Sequence, residues 1–510
     1  QGFTYGFMLN YQGPRIGVFS NNLLSADQLQ AQLEDKICKE IREGRVMGPF
    51  SHPPMPNIHI SPIGLVPKSS GGWRMITHLS YPPSQGINFF IDPSTCSVKY
   101  TAFDTVVDMI AMLGPSAELG KVDIKNAFRL LPIHPGDFDL LGFKFKNQFY
   151  FDKCLPMGCS ISCAIFEKFS TFLQWVVKEK AGLSTLEHYL DDFIFAGRKQ
   201  TGECRTLMEI FKQTCDEFGI PLADDKTQGP VTSLIFLGLE IDTVQRCIRI
   251  PTSKILELKG LLKILIDRKK VKRKELESLV GKLNFFSKAV RGSRAFNRRF
   301  YDALIGVANP NFKIRISKAV REDMLMWLGF LDNFNGVTFF PQQEWVNSRV
   351  LQLYTDSAGS IGLGCGCFFQ NSWMYFEWPL DWENEAVMRD ITFLELVPIV
   401  LSVMTWARHF SSKKIQFYTD NIALVSIINT QSSRSKRIMS LLRELVLMLM
   451  QFNITFKAKH IPGIDNSVSD AISRKQWERF HRLAPLAKKD PEKIPLEFRR
   501  LILQVKHLDC

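Results

Sequence analysis

Leu186-Glu187-His188-Tyr189-Leu190-Asp191-Asp192-Phe193-Ile194-Phe195-Ala196 is the stretch on which the reading of this chain turns. Its flanks, Leu186 to Leu190 and Phe193 to Ala196, read as two short strands, so the chain is expected to turn at the acidic pair. Two like charges at the tip of an apolar hairpin repel, and burying unpaired carboxylates is costly, so a cation is expected beside them. A divalent metal is the natural candidate. A bare Asp-Asp pair is more often a solvated turn; the apolar residues on both sides argue against that here.

A third acid stands upstream, in Lys121-Val122-Asp123-Ile124-Lys125-Asn126-Ala127-Phe128. Val122 and Ile124 bracket Asp123 as core-facing residues would at a strand end. If that strand pairs beside the hairpin, three carboxylates converge on oxygen-preferring Mg²⁺, the arrangement used for in-line phosphoryl transfer with two metals about 3.5–4 Å apart.

The 510 residues suffice for two to four domains. Lys and Arg number 64 against 51 Asp and Glu, a net charge of +13, which points to a polyanionic partner such as nucleic acid. From Lys263 to Arg299, thirteen basic residues face three acids, a local net of +10. That stretch reads either as a solvated helix face or as a track for a phosphate backbone. The 11 cysteines include no paired Cys-x-x-Cys and no Cys/His ligand spacing, so they are read as reduced thiols in an intracellular protein. No apolar run reaches the length of a membrane span, and Leu396 to Ala407 reads as a buried helix, so no membrane partner is expected. The chain opens on Gln1 without a secretory signal and is expected to be a piece of something longer.

Five stretches are expected along the chain. Residues 1–34 lack strong periodicity and form an N-terminal extension. Residues 35–245 mix short strands with helices, among them Ser160 to Lys180. Residues 246–348 are helical and basic. Residues 349–475 form an α/β unit: strand-like segments at Leu351–Thr355, Ile361–Phe369 and Trp373–Trp378, a helix from about Thr392 to Phe410, and a strand at Ile415–Thr419. A charged, proline-containing tail, 476–510, is expected to be surface helix or partly ordered.

Motif order over residues 60 to 245 resembles a reverse transcriptase. Leu65-Val66-Pro67-Lys68-Ser69-Ser70-Gly71-Gly72-Trp73-Arg74 is similar to that family's fingers hairpin, which implies that Lys68 and Arg74 hold the incoming triphosphate. Phe128 stands at the position of the aromatic steric gate beneath the sugar, implying a preference for deoxynucleotides. Leu155-Pro156-Met157-Gly158 is similar to the segment that contacts template and nucleotide, with Met157 where retroviral members have Gln. Lys226 matches the lysine proposed to protonate pyrophosphate, and Phe236-Leu237-Gly238 resembles the turn that grips the primer terminus. Tyr189 is expected near the primer end. Asp123, Asp191 and Asp192 are the implied catalytic metal ligands.

A second acidic set follows: Asp356 in Tyr354-Thr355-Asp356-Ser357, Glu395, Asp420 in Tyr418-Thr419-Asp420-Asn421, and Asp470. Their order resembles ribonuclease H over about residues 350 to 475, which implies a second pair of metals and hydrolysis of RNA in RNA–DNA hybrids. His460-Ile461-Pro462-Gly463 is similar to the family's mobile histidine loop, giving His460 a part in product release or proton transfer. Asp356-Ser357-Ala358 superficially resembles an aspartic-protease motif, but its glycine is displaced to 359 and the four-acid set fits ribonuclease H better.

The resemblance therefore implies an α+β polymerase (palm, fingers, thumb) followed by an α/β ribonuclease H-like domain with a mixed central sheet, from an LTR-like retrotransposon. The segments Leu155–Ser160, Leu279–Phe285 and Arg294–Phe296 are more similar to DIRS-type elements than to gypsy-type ones, although the tyrosine recombinase residues of DIRS-type elements are not evident here. The implied cofactor is Mg²⁺, two per site, with Mn²⁺ as an alternative. The implied partners are an RNA template, a DNA primer, RNA–DNA hybrid and dNTPs. The rival reading is a catalytically inactive or domesticated retroelement-derived protein that binds nucleic acid.

Overall fold

The computed structural model describes residues 2–68, 71–336, 345–505 and 508, with only the backbone of 348, 349, 464 and 465. Ser69 and Ser70 of the hairpin motif, Gln1, residues 337–344 of the 246–348 stretch and the last residues of the tail lie outside the described residues. The chain divides into two compact units, Gln1–Leu234 and Ile235–Cys510.

Unit 1 is built around a four-stranded antiparallel sheet in the order Gln228–Val231, Glu118–Asp123, Asp192–Gly197, Leu186–Tyr189. The acidic hairpin forms as its alternation predicts. Helices Ser162–Ala181 and Glu203–Glu217 cover one face, and Phe166, Phe169, Leu173 and Phe211 pack with Val122, Phe193 and Phe195 into one core. A five-stranded sheet (Val18–Phe19, His59–Ile60, Gly142–Phe145, Gln148–Asp152, Val46–Phe50) and the hairpin Ile63–Pro67/Trp73–Thr77 complete the unit. Residues 1–34 are no appendage: Leu9 enters the main core, while Ala26 and Leu33 enter a second one with Val46, Ile63 and Phe143.

Unit 2 begins within the strand Ser233–Phe236 of a small sheet completed by Leu239–Asp242 and Cys247–Arg249. The basic stretch lies mainly on helices Thr252–Asp267, Arg273–Phe286 and Arg298–Leu304, and part of its charge is paired, as in Arg268–Glu275, Arg273–Glu277 and Arg298–Asp302. Beyond it, Leu353–Ser357, Gly364–Phe369 and Ser372–Glu377 make an antiparallel meander, and Lys414–Thr419 pairs parallel with Thr455–His460. These are two hydrogen-bonded sheets, not the single mixed sheet expected.

The helix Ile391–Trp406 continues as a 3₁₀ turn to Phe410, giving 20 residues that by length and composition could cross a bilayer, a longer run than the sequence reading found. Within the fold 72% of the most apolar window is buried, so its apolarity is that of a core helix. The tail also contributes structure: Phe480 packs with Phe368 and Trp373, and Phe498 meets Phe376 ring to ring at 5.3 Å. The ten described cysteines are all free thiols.

Candidate active sites

Strand register assembles the first site. Asp192 is the cross-strand partner of Asp123, and Ile194 that of Lys121, so these four side chains share the sheet face opposite Val122 and Phe193. Asp191 sits in the two-residue loop of the hairpin, where Leu190 adopts φ +53°, a conformation rare for a non-glycine residue. Its backbone oxygen accepts from Ile124 N at 3.1 Å, tying the loop to the end of the Asp123 strand. The structure thus brings Asp123, Asp191 and Asp192 to one strand end.

Two lysines balance them. Lys226, on a short 3₁₀ turn at Asp224–Lys226, places Nζ 3.0 and 3.1 Å from the two oxygens of Asp123. Ala223 N donates to Asp123 O at 2.9 Å, which anchors that turn beside the strand. Lys121 Nζ lies 3.0 Å from Asp192 Oδ1. Burial raises the Asp123 carboxyl above its ordinary range, Lys226 opposes the rise and Asp192 adds to it. Burial likewise raises Asp191, with Asp123 and Asp192 beside it contributing. Among the described residues no three His, Cys, Asp or Glu side chains stand as a closed metal cage. The donor set nevertheless suits a hard dication: carboxylate oxygens crowded at a half-buried strand end, each disfavouring ionisation of the next.

Around these acids the other expected residues fall in distinct places. Lys68 and Arg74 are exposed on their hairpin, where Lys68 N donates to Gly72 O at 3.0 Å, and among the described residues neither pairs with the three acids. Phe128 lies on a 3₁₀ segment, Ala127–Leu130, its ring 5.0 Å from that of Phe166. Pro156 is buried, Met157 exposed, and Gly158 takes φ +96° in the turn before the long helix. Tyr189 faces Tyr100 at 4.8 Å. In unit 2, Phe236 is buried while Leu237 and Gly238 turn at φ +46° and +80°, and Lys254 Nζ donates to Gly238 O at 3.2 Å.

The second acidic set gathers inside unit 2. Asp356 lies on the first strand of the meander opposite Gly366, where a Cβ would come within 2.7 Å of Ile472 Cβ and Ser469 O. The glycine lets helix Ser467–Ser473 lie directly on that strand. Ser473 Oγ then donates to Asp356 Oδ2 at 2.7 Å, and Ser357 Oγ donates to Glu395 Oε1 at 3.0 Å. Asp420 follows the strand Lys414–Thr419, with Gly463 against its carboxylate, and exposed His460 ends the parallel strand opposite Thr419. Burial, then the neighbouring Asp356 and Asp420, push Glu395 up to about 8. Burial, with Asp470 and Asp420 nearby and Ser473 opposing, pushes Asp356 up to about 6. Asp470 is oriented differently: Arg474 and Arg479 each donate to it at 2.6 Å, and although burial would raise it they hold it below the usual carboxylate range.

Sequence reasoning passed over several of these partners. Lys121 had a signal, since two residues before Asp123 on a strand is the same face; Arg474, four residues after Asp470 on a helix, had another. Asn88, whose Nδ2 donates to Gly158 O and whose Oδ1 accepts from Ser160 N, both at 2.8 Å, had none.

Residues 66–241 match the family model described as reverse transcriptase (RNA-dependent DNA polymerase). Protein P of heron hepatitis B virus is 27% identical over 195 residues, 38% of this chain and 24% of that protein. The Transposon Tf2-7 polyprotein of Schizosaccharomyces pombe is 20% identical over 485 residues, 93% of this chain and 33% of the polyprotein. The chain therefore spans about a quarter to a third of the length of these curated relatives. The foamy viral protease-reverse transcriptase in complex with dsDNA superposes with a TM-score of 0.51 at 15% identity, covering 89% of this chain and 87% of that one. The same protein in complex with RNA/DNA hybrid gives 0.51 at 14% identity, covering 88% and 56%. Residues 66–241 thus match the reverse transcriptase family model, with strand register and motif order in keeping with it, and the solved structures share the fold.

Proposed function

We propose that this chain is a retrotransposon RNA-directed DNA polymerase that also hydrolyses the RNA strand of RNA–DNA hybrids. The pairing of Asp123 with Asp192 across the strands, with Asp191 in the adjoining loop, carries the polymerase half. The convergence of Asp356, Glu395 and Asp420, with Asp470 on the overlying helix, supports the ribonuclease H half.

Asp123, Asp191 and Asp192 would hold Mg²⁺ at the first site, and Asp356, Glu395, Asp420 and Asp470 at the second. When bound, the metal ions lower the pKa of the attacking hydroxyl or water and neutralise charge on the leaving group. Lys68 and Arg74, exposed on a glycine-tipped hairpin, close over the triphosphate of a dNTP. Phe128 underlies its sugar. Lys226, drawn off Asp123 when the carboxylate is otherwise engaged, is placed to give its proton to departing pyrophosphate. Tyr189 contacts the primer and Pro156–Gly158 the template and nucleotide, while the turn at Phe236–Gly238 is a primer contact carried by unit 2. At the second site Ser473 and Ser357 orient Asp356 and Glu395, while exposed His460 is positioned for proton transfer or product release.

Primer extension on an RNA template with Mg²⁺ and dNTPs, beside cleavage of a labelled hybrid, tests both halves. A protein that shifts hybrid mobility but neither extends nor cleaves would favour the binding-only reading. Affiliation with DIRS-type rather than gypsy-type elements is supported only by the segments Leu155–Ser160, Leu279–Phe285 and Arg294–Phe296.

A further inference from the structure

Phe128 occupies a backbone that needs external support. Asn126 and Ala127 before it both have positive φ, +63° and +23°. Left-handed conformations are unfavourable for L-residues, and such strain persists only where the surroundings over-determine it. Phe128's own ring contact with Phe166 anchors one side of the segment.

The other side is held by the next residue. Arg129, with 14% of its side chain exposed, donates to Glu40 Oε2 from Nε and Nη2 at 3.1 and 2.8 Å, to Asp152 Oδ2 at 2.6 Å and to Cys154 O at 3.4 Å. Glu40 is fixed in turn by Arg45, through two bonds of 2.7 Å. Burial would raise the Glu40 carboxyl, yet the two guanidiniums hold it below its ordinary range, so it stays an anion for Arg129 to grip. Asp152 uses its other oxygen to accept from Cys154 N at 3.3 Å. Cys154 immediately precedes Leu155-Pro156-Met157-Gly158, and Leu155 N donates to Leu131 O at 2.8 Å. One planar cation thus ties the Phe128 segment to the turn at Pro156–Gly158 and braces both on the helix Gln30–Arg42 that carries Glu40.

We propose that Arg129 is the positioning residue that sets how strictly this site separates deoxynucleotides from ribonucleotides, by fixing Phe128 and the Leu155–Gly158 turn relative to one another. The inference rests on the polymerase reading above. Arg129 touches no nucleotide in this scheme; it acts through the two elements that would. Glu40, held by Nε and Nη2 while Nη1 faces Asp152 and Cys154, shares the role at one remove.

The test measures kcat and KM for matched deoxy- and ribonucleoside triphosphates during extension by the full chain on an RNA template, with thermal melting alongside. Arg129→Met and Glu40→Gln are expected to raise the dNTP KM and narrow the deoxy/ribo preference, each by about tenfold, because displacement of a reacting group by 1 Å costs up to about 10²-fold. Arg129→Lys, a point charge without the fork, restores part of the preference. Arg15→Ala, which breaks the ion pair with Asp137 elsewhere in unit 1, is the control for general loosening. If Arg129→Met does not fold, Glu40→Gln decides alone. Unchanged discrimination in variants that fold and extend overturns the proposal, as does equal narrowing in Arg15→Ala. Absence of extension by the unaltered chain removes the polymerase reading and this inference with it.

Discussion

Lys226 holds Asp123 from 103 residues away, its ammonium reaching both carboxylate oxygens at 3.0 and 3.1 Å. A cation on a proposed metal ligand competes with the metal. Lys226→Met is therefore expected to lower the Mg²⁺ concentration needed for half-maximal extension while reducing kcat by about 10²-fold through loss of a proton donor. Metal titration of single-turnover extension reads both numbers. A variant needing more Mg²⁺ would show that Lys226 assists, not opposes, metal entry.

Asp191→Asn removes a proposed ligand from unit 1 and none from unit 2. Extension should fall by at least about a thousandfold with hybrid cleavage kept, and Asp356→Asn should give the converse pattern. Gel assays of both reactions on each variant check the assignment, and survival of both activities in both variants would refute it.

Glu395 is pushed up to about 8 and Asp356 up to about 6. A carboxyl whose folded pKa exceeds its unfolded value contributes stability that is fully present below the unfolded pKa and lost as pH rises through the folded one. Metal-free unit 2 should therefore melt progressively lower between about pH 4.5 and pH 8. Glu395→Gln should flatten that slope and raise the melting temperature at pH 8 by a few degrees, roughly 2–4 °C per kcal/mol recovered. Added Mg²⁺ should raise the melting temperature of the unaltered protein most at the alkaline end. Calorimetry with and without chelator reads each of these.

Asp323, in helix Lys318–Asn333, has no exposed side-chain surface and is gripped by Arg443 of helix Lys436–Gln451, with Nη1 3.0 Å from Oδ2, and by Arg299 at 3.2 Å. Removing one partner of a buried pair leaves an uncompensated charge, a loss of about 3 kcal/mol or more. Arg443→Met should lower the denaturant midpoint of unit 2, followed by tryptophan emission, and Asp323→Asn in the same chain should recover part of the loss.

The likeness to a reverse transcriptase and the strand pattern of the acidic hairpin were legible because both are local. Phe193 and Phe195 alternate with Asp192 and Ile194, and such a period of two specifies which side chains share a face. The stretch around Asp123 carries the same signal. Residues 1–34 escaped that reading because Leu9, Ala26 and Leu33 enter cores singly, without a period that marks an element. The helix itself was legible, expected from about Thr392 to Phe410 and found from Ile391, but its apolar run was read only as Leu396 to Ala407 because Arg408 interrupts it.

Sequence alone determined the alternation that makes the acidic hairpin and the chain order of the two carboxylate sets, since these depend on neighbours a few residues apart. Only the tertiary structure decided what faces each acid: Lys226 on Asp123, Ser473 on Asp356 across 117 residues, two arginines on Asp470, and the hub around Arg129. Coulombic and hydrogen-bond partners are chosen by proximity in space, and no local periodicity encodes a contact between residues a hundred positions apart.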